Sequence, residues 1–410
     1  MKNTSINIVL AVLFLLLAQT SKAQILTKED SLSAGLTGRT NNYSVLSGYG
    51  EAKVNYDLGQ KTGEANLTRS VMFFGHKFSN SIYFFSELEL EHGKVASGTT
   101  GEIALEQLFL KFNVNPSNYF AAGLIIPRIG LTNENHLPTT FNGNDRPTVE
   151  RLVIPSTWRE MGIAYYGNSR KISGLNYSLA LMNGLNSKNF AFGTGIRGGR
   201  MNGSKATASN LAITGALLYY IGNFRIQVST YYGGSAGINQ IMSDSLNLNN
   251  GAFGTPVNLN EANIRFSNKN FEWKALACVI NISDAEKINK AYKSNTPKAI
   301  FGGYVEAGIH ILQAMNRKTT KVLTLFSRIE SIDMNYKVPS NAIKDNFQKQ
   351  LISVSGITFA PVKGIVIKGE YTWRQTGNFT KELYATNPYK SLNPFKTEMS
   401  FVTLGIGYSF

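Results

Sequence analysis

The chain has 410 residues, 41 Lys and Arg against 26 Asp and Glu, and a net charge of +15, with a single cysteine, Cys278. One thiol excludes an internal disulfide framework. The four histidines, His76, His92, His136 and His310, lie far apart in sequence and show no metal-ligand spacing.

The opening MKNTSINIVLAVLFLLLAQTSKAQ places Lys2 before an apolar run from Ile8 to Ala18, then a small-x-small site at Ser21-Lys22-Ala23. This is the layout of a cleaved secretory signal, 1–23. The apolar run is about 11 residues, too short for a spanning helix of ~20. Loss of Lys2 and Lys22 still leaves a strongly basic chain. An exported chain rarely meets nucleic acid, so anionic lipopolysaccharide and anionic solutes are the expected neighbours. Residues 24–46 then form a periplasmic segment.

From residue 47 onward the dominant pattern has period two. In 48–58, Gly50, Ala52, Val54, Tyr56 and Leu58 share one face, and Tyr49, Glu51, Lys53, Asn55 and Asp57 the other. In 81–91, Ile82, Phe84, Leu88 and Leu90 oppose Glu87, Glu89 and Glu91. The pattern continues through 103–114, 119–126, 159–167, 175–183 and 210–221. It recurs in 224–232, where Ile226 and Val228 oppose Arg225 and Gln227, and in 258–267. It is weakest in 271–282 and 349–360, where both faces are apolar. It is clear again in 300–312, 321–332 and 365–374, the last setting Ile365, Ile367 and Tyr371 against Lys368, Glu370 and Arg374. The chain ends FVTLGIGYSF, with Val402, Leu404, Ile406, Tyr408 and Phe410 on one side. With 69–78 added, this predicts about 16 strands of roughly 9–13 residues, close to the ~9–11 that a tilted strand needs to cross a bilayer.

The connections alternate. Ser79-Asn80, 115–118, Gly222-Asn223, 268–270 and 361–364 are tight, whereas 59–68, 92–102, 127–158, 184–209, 233–257, 283–299, 333–348 and 375–399 are long. Short turns at one end and long loops at the other are the signature of a membrane barrel. A backbone in lipid must pair all its polar groups, so the last strand is expected to close on the first. The fold class is therefore all-β: a transmembrane antiparallel β-barrel of about 16 strands over 47–410. Tyr408 and Phe410 are expected in an aromatic girdle, and Thr403, Gly405 and Gly407 face the lumen.

The connection 127–158 carries four rigid points, Pro127, Pro138, Pro147 and Pro155, with apolar anchors at Leu131, Leu137, Phe141, Leu152 and Trp158. Such a loop can fold inward and pack on the wall, forming a constriction. Its charged residues, Arg128, Glu134, His136, Arg146, Glu150 and Arg151, together with Glu87 and Glu89 on the wall, are the candidate pore residues. The acidic stripe 87, 89 and 91 is read as a structural network pairing with loop arginines such as Arg146 or Arg151. His136 is read as a hydrogen-bonding residue. The basic connection 184–209, with Lys188, Arg197, Arg200 and Lys205 and no acid, either draws anions to the mouth or meets lipopolysaccharide phosphates.

The stretch 48–167 resembles porins of the phosphate-selective O/P type from Bacteroidetes-like outer membranes. The matching residues are Gly123 and Pro127 with Ile129-Gly130, the set Asn133, Glu134, His136, Pro138, Thr139 and Phe141, Arg146-Pro147 with Val149-Glu150, and the run Ile154 to Glu160. GYGEA at 48–52 and SELELEH at 86–92 are similar too. The resemblance implies a barrel of about 16 strands that passes small solutes past an inward-folded loop, often as a homotrimer. The expected function is thus passive diffusion of small hydrophilic solutes with an anion or phosphate preference, without cofactor, metal or catalysis. The alternative is an adhesin or structural barrel with a closed lumen. A barrel enzyme would need a nucleophile beside a base, and no serine motif stands next to His76, His92 or His310.

Overall fold

The computed structural model describes residues 42–410, apart from 97, 99, 191–192, 379, 381–382 and 384–396. The expected signal and most of the periplasmic segment lie outside the described residues. The strands are β1 (Tyr43–Asp57), β2 (Thr62–Lys77), β3 (Ile82–Glu91), β4 (Glu102–Asn115), β5 (Asn118–Ile125), β6 (Glu160–Asn168), β7 (Leu175–Asn183) and β8 (Leu211–Ile221). They continue as β9 (Phe224–Gly233), β10 (Val257–Ser267), β11 (Phe271–Ile282), β12 (Ala299–His310), β13 (Val322–Lys337), β14 (Lys349–Ala360), β15 (Ile365–Thr376) and β16 (Glu398–Ser409). Each pairs antiparallel with its sequence neighbours, and β16 closes on β1 from Tyr49↔Ser409 to Asp57↔Phe401, so all sixteen form one closed barrel without edges.

Three boundaries differ most from the sequence reading; β13 runs on to Lys337 rather than 332. β1 starts at Tyr43 rather than 47, so 43–46 belong to the barrel. β2 starts at Thr62 rather than 69, which makes the first connection a tight turn over 58–61 instead of a long loop. Short and long connections otherwise alternate, except that 311–321 and 338–348, on either side of β13, are equally long.

The period-two pattern sorts inside from outside. On β16, Leu404 and Ile406 are 62% and 52% exposed, whereas Thr403 is 5% exposed. Exposed apolar residues recur all round the wall, among them Leu46, Met72, Leu179, Val228, Val305, Ile329 and Ile367. Monomeric proteins in water rarely expose contiguous apolar patches beyond a few hundred Å², so a continuous apolar band on a closed barrel is a lipid-facing surface. Among the described residues no helix is long and apolar enough to cross a membrane; the strands make the crossing. Outward rings gather near the short-turn end: Phe120 with Tyr165 at 4.8 Å, Phe224 with Phe266 at 4.9 Å, and Tyr408 stacked on Phe410 at 6.4 Å. Tyr56, Tyr232, Tyr336 and Tyr371 lie exposed toward the other end, giving the two aromatic girdles of a membrane barrel.

A charge on this band meets hydrocarbon. Ile329→Arg, in the middle of β13 and 58% exposed, should destabilise the barrel by about 2–4 kcal/mol. Denaturant unfolding in lipid vesicles checks this, and a loss below about 0.5 kcal/mol would place Ile329 in water instead.

Inside, the third long connection packs against part of the wall. The inner faces of β11 and β14 are apolar in their middle, with Leu276, Cys278, Ile280, Ile352 and Val354 buried in one cluster with Val149, Val153, Ile154 and Trp158 of the third long connection. This explains why 271–282 and 349–360 lack alternation: the lumenal face there packs against protein.

Candidate functional site

The segment between β5 and β6 lies inside the barrel and is tied to walls all round it. Lys53 Nζ of β1 donates to Asp145 at 2.7 Å, and Arg69 of β2 donates to the His136 carbonyl at 2.9 Å. On the far side, Gln227 of β9 donates to the Gly130 carbonyl at 3.2 Å, Asn142 donates to Glu306 of β12 at 3.1 Å, and Val149 N–H to Glu330 of β13 at 2.9 Å. Lys368 of β15 donates to the carbonyls of Phe141 and Gly143 at 2.9 and 2.7 Å. The segment therefore crosses the lumen. The bare inner face of β16 makes room for it: a Cβ on Gly405 would fall 2.1 Å from Asn144 Oδ1, and one on Gly407 2.8 Å from Pro138 Cβ. The glycines of the terminal strand are there because another chain segment lies against them.

Local chemistry fixes the shape of the segment. Arg128 pairs with Glu134 at 2.7 Å and sits over the Tyr166 ring. Asn133 holds both ends of the segment, donating to the Pro127 carbonyl at 2.9 Å and accepting from Trp158 N–H at 2.7 Å. Glu150, fully buried in the helical turn Val149–Val153, accepts from Leu131 N–H, Thr132 N–H, the Thr132 hydroxyl and Tyr304 Oη.

The expected pore residues divide into two groups. Glu87 and Glu89 are buried: Glu87 bonds Tyr49 and Gln107, and Glu89 stands 3.9 Å from Arg69 and interacts electrostatically with Arg146 of the inward segment. His136 is buried against Tyr49 and Glu106, two residues that sequence reasoning did not connect to it. The second group is cationic. Arg146 donates to Thr157 Oγ1 at 3.1 Å, and Arg159 Nη1 lies 3.9 Å from Glu106. The Arg151 side chain is 38% exposed and stands 3.7 Å from Asp145. Arg197 and Arg200 do not project toward the mouth as free attractants. They fold inward and donate to the carbonyls of Arg151 and Ser156, and of Pro155 and Thr157, at 2.7–2.9 Å. Lys188 and Lys205 of that connection remain exposed.

Five guanidinium groups, Arg146, Arg151, Arg159, Arg197 and Arg200, thus surround 145–159. Burial, then the charges of Arg146, Arg151 and Arg159, pushes the Arg197 guanidinium down from its ordinary pKa. Burial, then Arg197, Arg159 and Arg146, does the same to Arg200. Mutual repulsion of this kind is relieved by an anion. Burial would raise the Asp145 carboxyl, but Lys53, Arg151 and Arg146 together hold it well below the usual carboxylate range. It stays ionised and offsets part of the positive field.

No protein-family model matches the chain. An uncharacterized protein of Aquifex aeolicus is 29% identical over 340 residues, 80% of this chain and 74% of its own length. Among solved structures, Salmonella typhi OmpF in complex with daunomycin aligns over 90% of this chain and 98% of its own, with a TM-score of 0.56 and 10% identity. An anion-selective porin from Comamonas acidovorans aligns over 90% and 100%, with a TM-score of 0.53 and 11% identity. OmpT of Vibrio cholerae aligns over 91% and 99%, with a TM-score of 0.53 and 9% identity. At such identities the likeness is one of fold: the chain is a closed sixteen-stranded barrel of the kind seen in these porins.

Proposed function

We propose that this protein is an outer-membrane porin through which small hydrophilic solutes diffuse passively, with a preference for anions, and that the segment 127–158 constricts its lumen. The observation that carries the preference is the arginine group at 145–159, with Arg151 partly exposed where the inward segment meets lumenal water. Guanidinium groups replace the hydration of an anion and match the geometry of phosphate. Arg128, Glu134, His136, Glu150, Glu87 and Glu89 hold the segment in place, and Arg146 and Arg151 present charge. The phosphate-selective O/P resemblance agrees with this reading, as does the anion-selective porin among the structural neighbours. Outer-membrane lipid and lipopolysaccharide surround the wall. The assembly proposed is a homotrimer, the form named for one Vibrio cholerae OmpT structure.

Conductance of the purified protein in planar bilayers tests the proposal. In a potassium chloride gradient the reversal potential should have the sign of anion preference, and millimolar phosphate should lower the chloride current. Cation selectivity, or indifference to phosphate, would remove the anion reading. Absence of conductance would favour a closed adhesin or structural barrel.

A further inference from the structure

We propose that His136, Glu87 and Glu106, with Tyr49 beside them, form a binding site for a divalent transition-metal ion that pins the inward segment to the barrel wall. The three acid and imidazole groups come from different places: Glu87 from β3, Glu106 from β4 and His136 from the inward segment. They are at most 1% exposed, and one ligand atom from each lies within 4.8 Å of the others.

Glu106 reaches this position through a β-bulge. Glu87 pairs with Gln107 and Leu88 with Leu105, which leaves Glu106 as the extra residue. Glu106 and Gln107 are consecutive, yet both are buried on the lumenal side. Bulges re-aim side chains in this way beside functional sites.

The gap between His136 Nε2 and Glu106 Oε2 has to hold a proton or a cation. His136 Nδ1 lies 2.9 Å from the Asn133 carbonyl, which only accepts, so Nδ1 carries the proton. In a neutral ring, Nε2 then presents a lone pair, and it points at Glu106 Oε2, 2.9 Å away, with Glu87 Oε1 at 3.7 Å. Two acceptors at that separation need either a shared proton or a metal ion between them. Tetrahedral ligands around Zn²⁺ are about 3.3 Å apart, which the two separations bracket. Tyr49 Oη stands beside the three as a hydrogen-bonding neighbour, donating to Glu87 Oε1 at 2.7 Å and Glu106 Oε2 at 3.0 Å and lying 2.9 Å from Nε2.

The outer partners favour the metal. Each ligand has its other polar atom held: His136 Nδ1 by the Asn133 carbonyl, Glu87 Oε2 by Gln107 at 2.8 Å, and Glu106 Oε1 by Thr157 at 3.0 Å. Such second contacts orient the ligands of protein metal sites. Beside Glu106, Glu89 is 3% exposed and hydrogen-bonds to it, with Arg69 Nη1 3.9 Å from Glu89 Oε1. Imidazole with carboxylate oxygens suits Zn²⁺, Mn²⁺, Fe²⁺ or Co²⁺, and the absence of thiolate among the donors disfavours soft ions.

The test uses the full protein extracted from outer membranes without chelator. Inductively coupled plasma mass spectrometry should find a transition metal stoichiometric with the chain. After chelation, Co²⁺ should restore stoichiometric binding with a visible absorption band, and Zn²⁺ should raise the thermal unfolding temperature. Glu106→Gln and His136→Gln, each close in shape to the native residue, should bind Co²⁺ at least tenfold more weakly while keeping the heat-modifiable gel migration of a folded barrel. A metal-free native protein whose chelated form shows neither a Co²⁺ band nor a Zn²⁺ shift would mean that a proton fills the gap, and would overturn the proposal.

Discussion

Arg151→Glu should reverse the ion preference of the channel while leaving the barrel intact. The Arg151 backbone carbonyl accepts from Arg197, and that contact survives any side-chain change. The side chain itself is 38% exposed, and its near contact is Asp145 at 3.7 Å. Folding therefore depends little on it, whereas an ion crossing the inward segment passes its charge. A unit charge about 4 Å away contributes about 1 kcal/mol in a water-like dielectric. Reversal changes the field by two charges, so anion permeability should fall by about 2 kcal/mol, or roughly 30-fold, while cation permeability rises by as much, and their ratio should shift by up to about 4 kcal/mol. Arg151→Gln should give about half that free-energy change. Raising the salt to 1 M, where the screening length is about 3 Å, should shrink the difference between variant and native protein. Reversal potentials in a salt gradient measure all three. An unchanged potential in Arg151→Glu would take Arg151 off the ion path.

The barrel is legible in the sequence because lipid on one face and a polar lumen on the other impose period two on every span. The misplaced start of β2 marks where that reason ends. Thr62, Glu64 and their neighbours stand exposed on both faces beyond the apolar band, so no alternation betrays the strand. β13 likewise runs on through Asp333–Lys337 after its apolar face stops. The inward course of 127–158 was readable from its prolines and apolar anchors, but its partners were not. Glu106 illustrates why: strict alternation from Leu108, Leu110 and Phe112 puts residue 106 outside, and only the bulge turns it inward. Nor does composition reveal that Arg197 and Arg200 are spent on backbone carbonyls 40 or more residues away.

Glu150→Ala should be the most damaging single change in the lumen, costing about 3–5 kcal/mol, the range for removing one partner of a buried charged network. The Glu150 carboxylate is fully buried and takes four donors: Leu131 N–H at 2.9 Å, Thr132 N–H at 2.5 Å, Thr132 Oγ1 at 2.8 Å and Tyr304 Oη at 2.6 Å. Three belong to the start of the inward segment and one to β12, so the residue joins the segment both to itself and to the far wall. Each buried donor left without an acceptor loses about 1–3 kcal/mol. The four losses do not add fully, because a released segment can move toward water. Glu150→Gln keeps one carbonyl oxygen for the backbone donors, and its amide can donate to the Tyr304 oxygen, so its cost should be about 1–2 kcal/mol. Denaturant unfolding in detergent micelles gives the two free energies. Single-channel recordings should show the Ala variant with larger, noisier conductance as the segment leaves the lumen. An alanine variant as stable and as quiet as the native protein would mean that the segment is held by its apolar contacts alone.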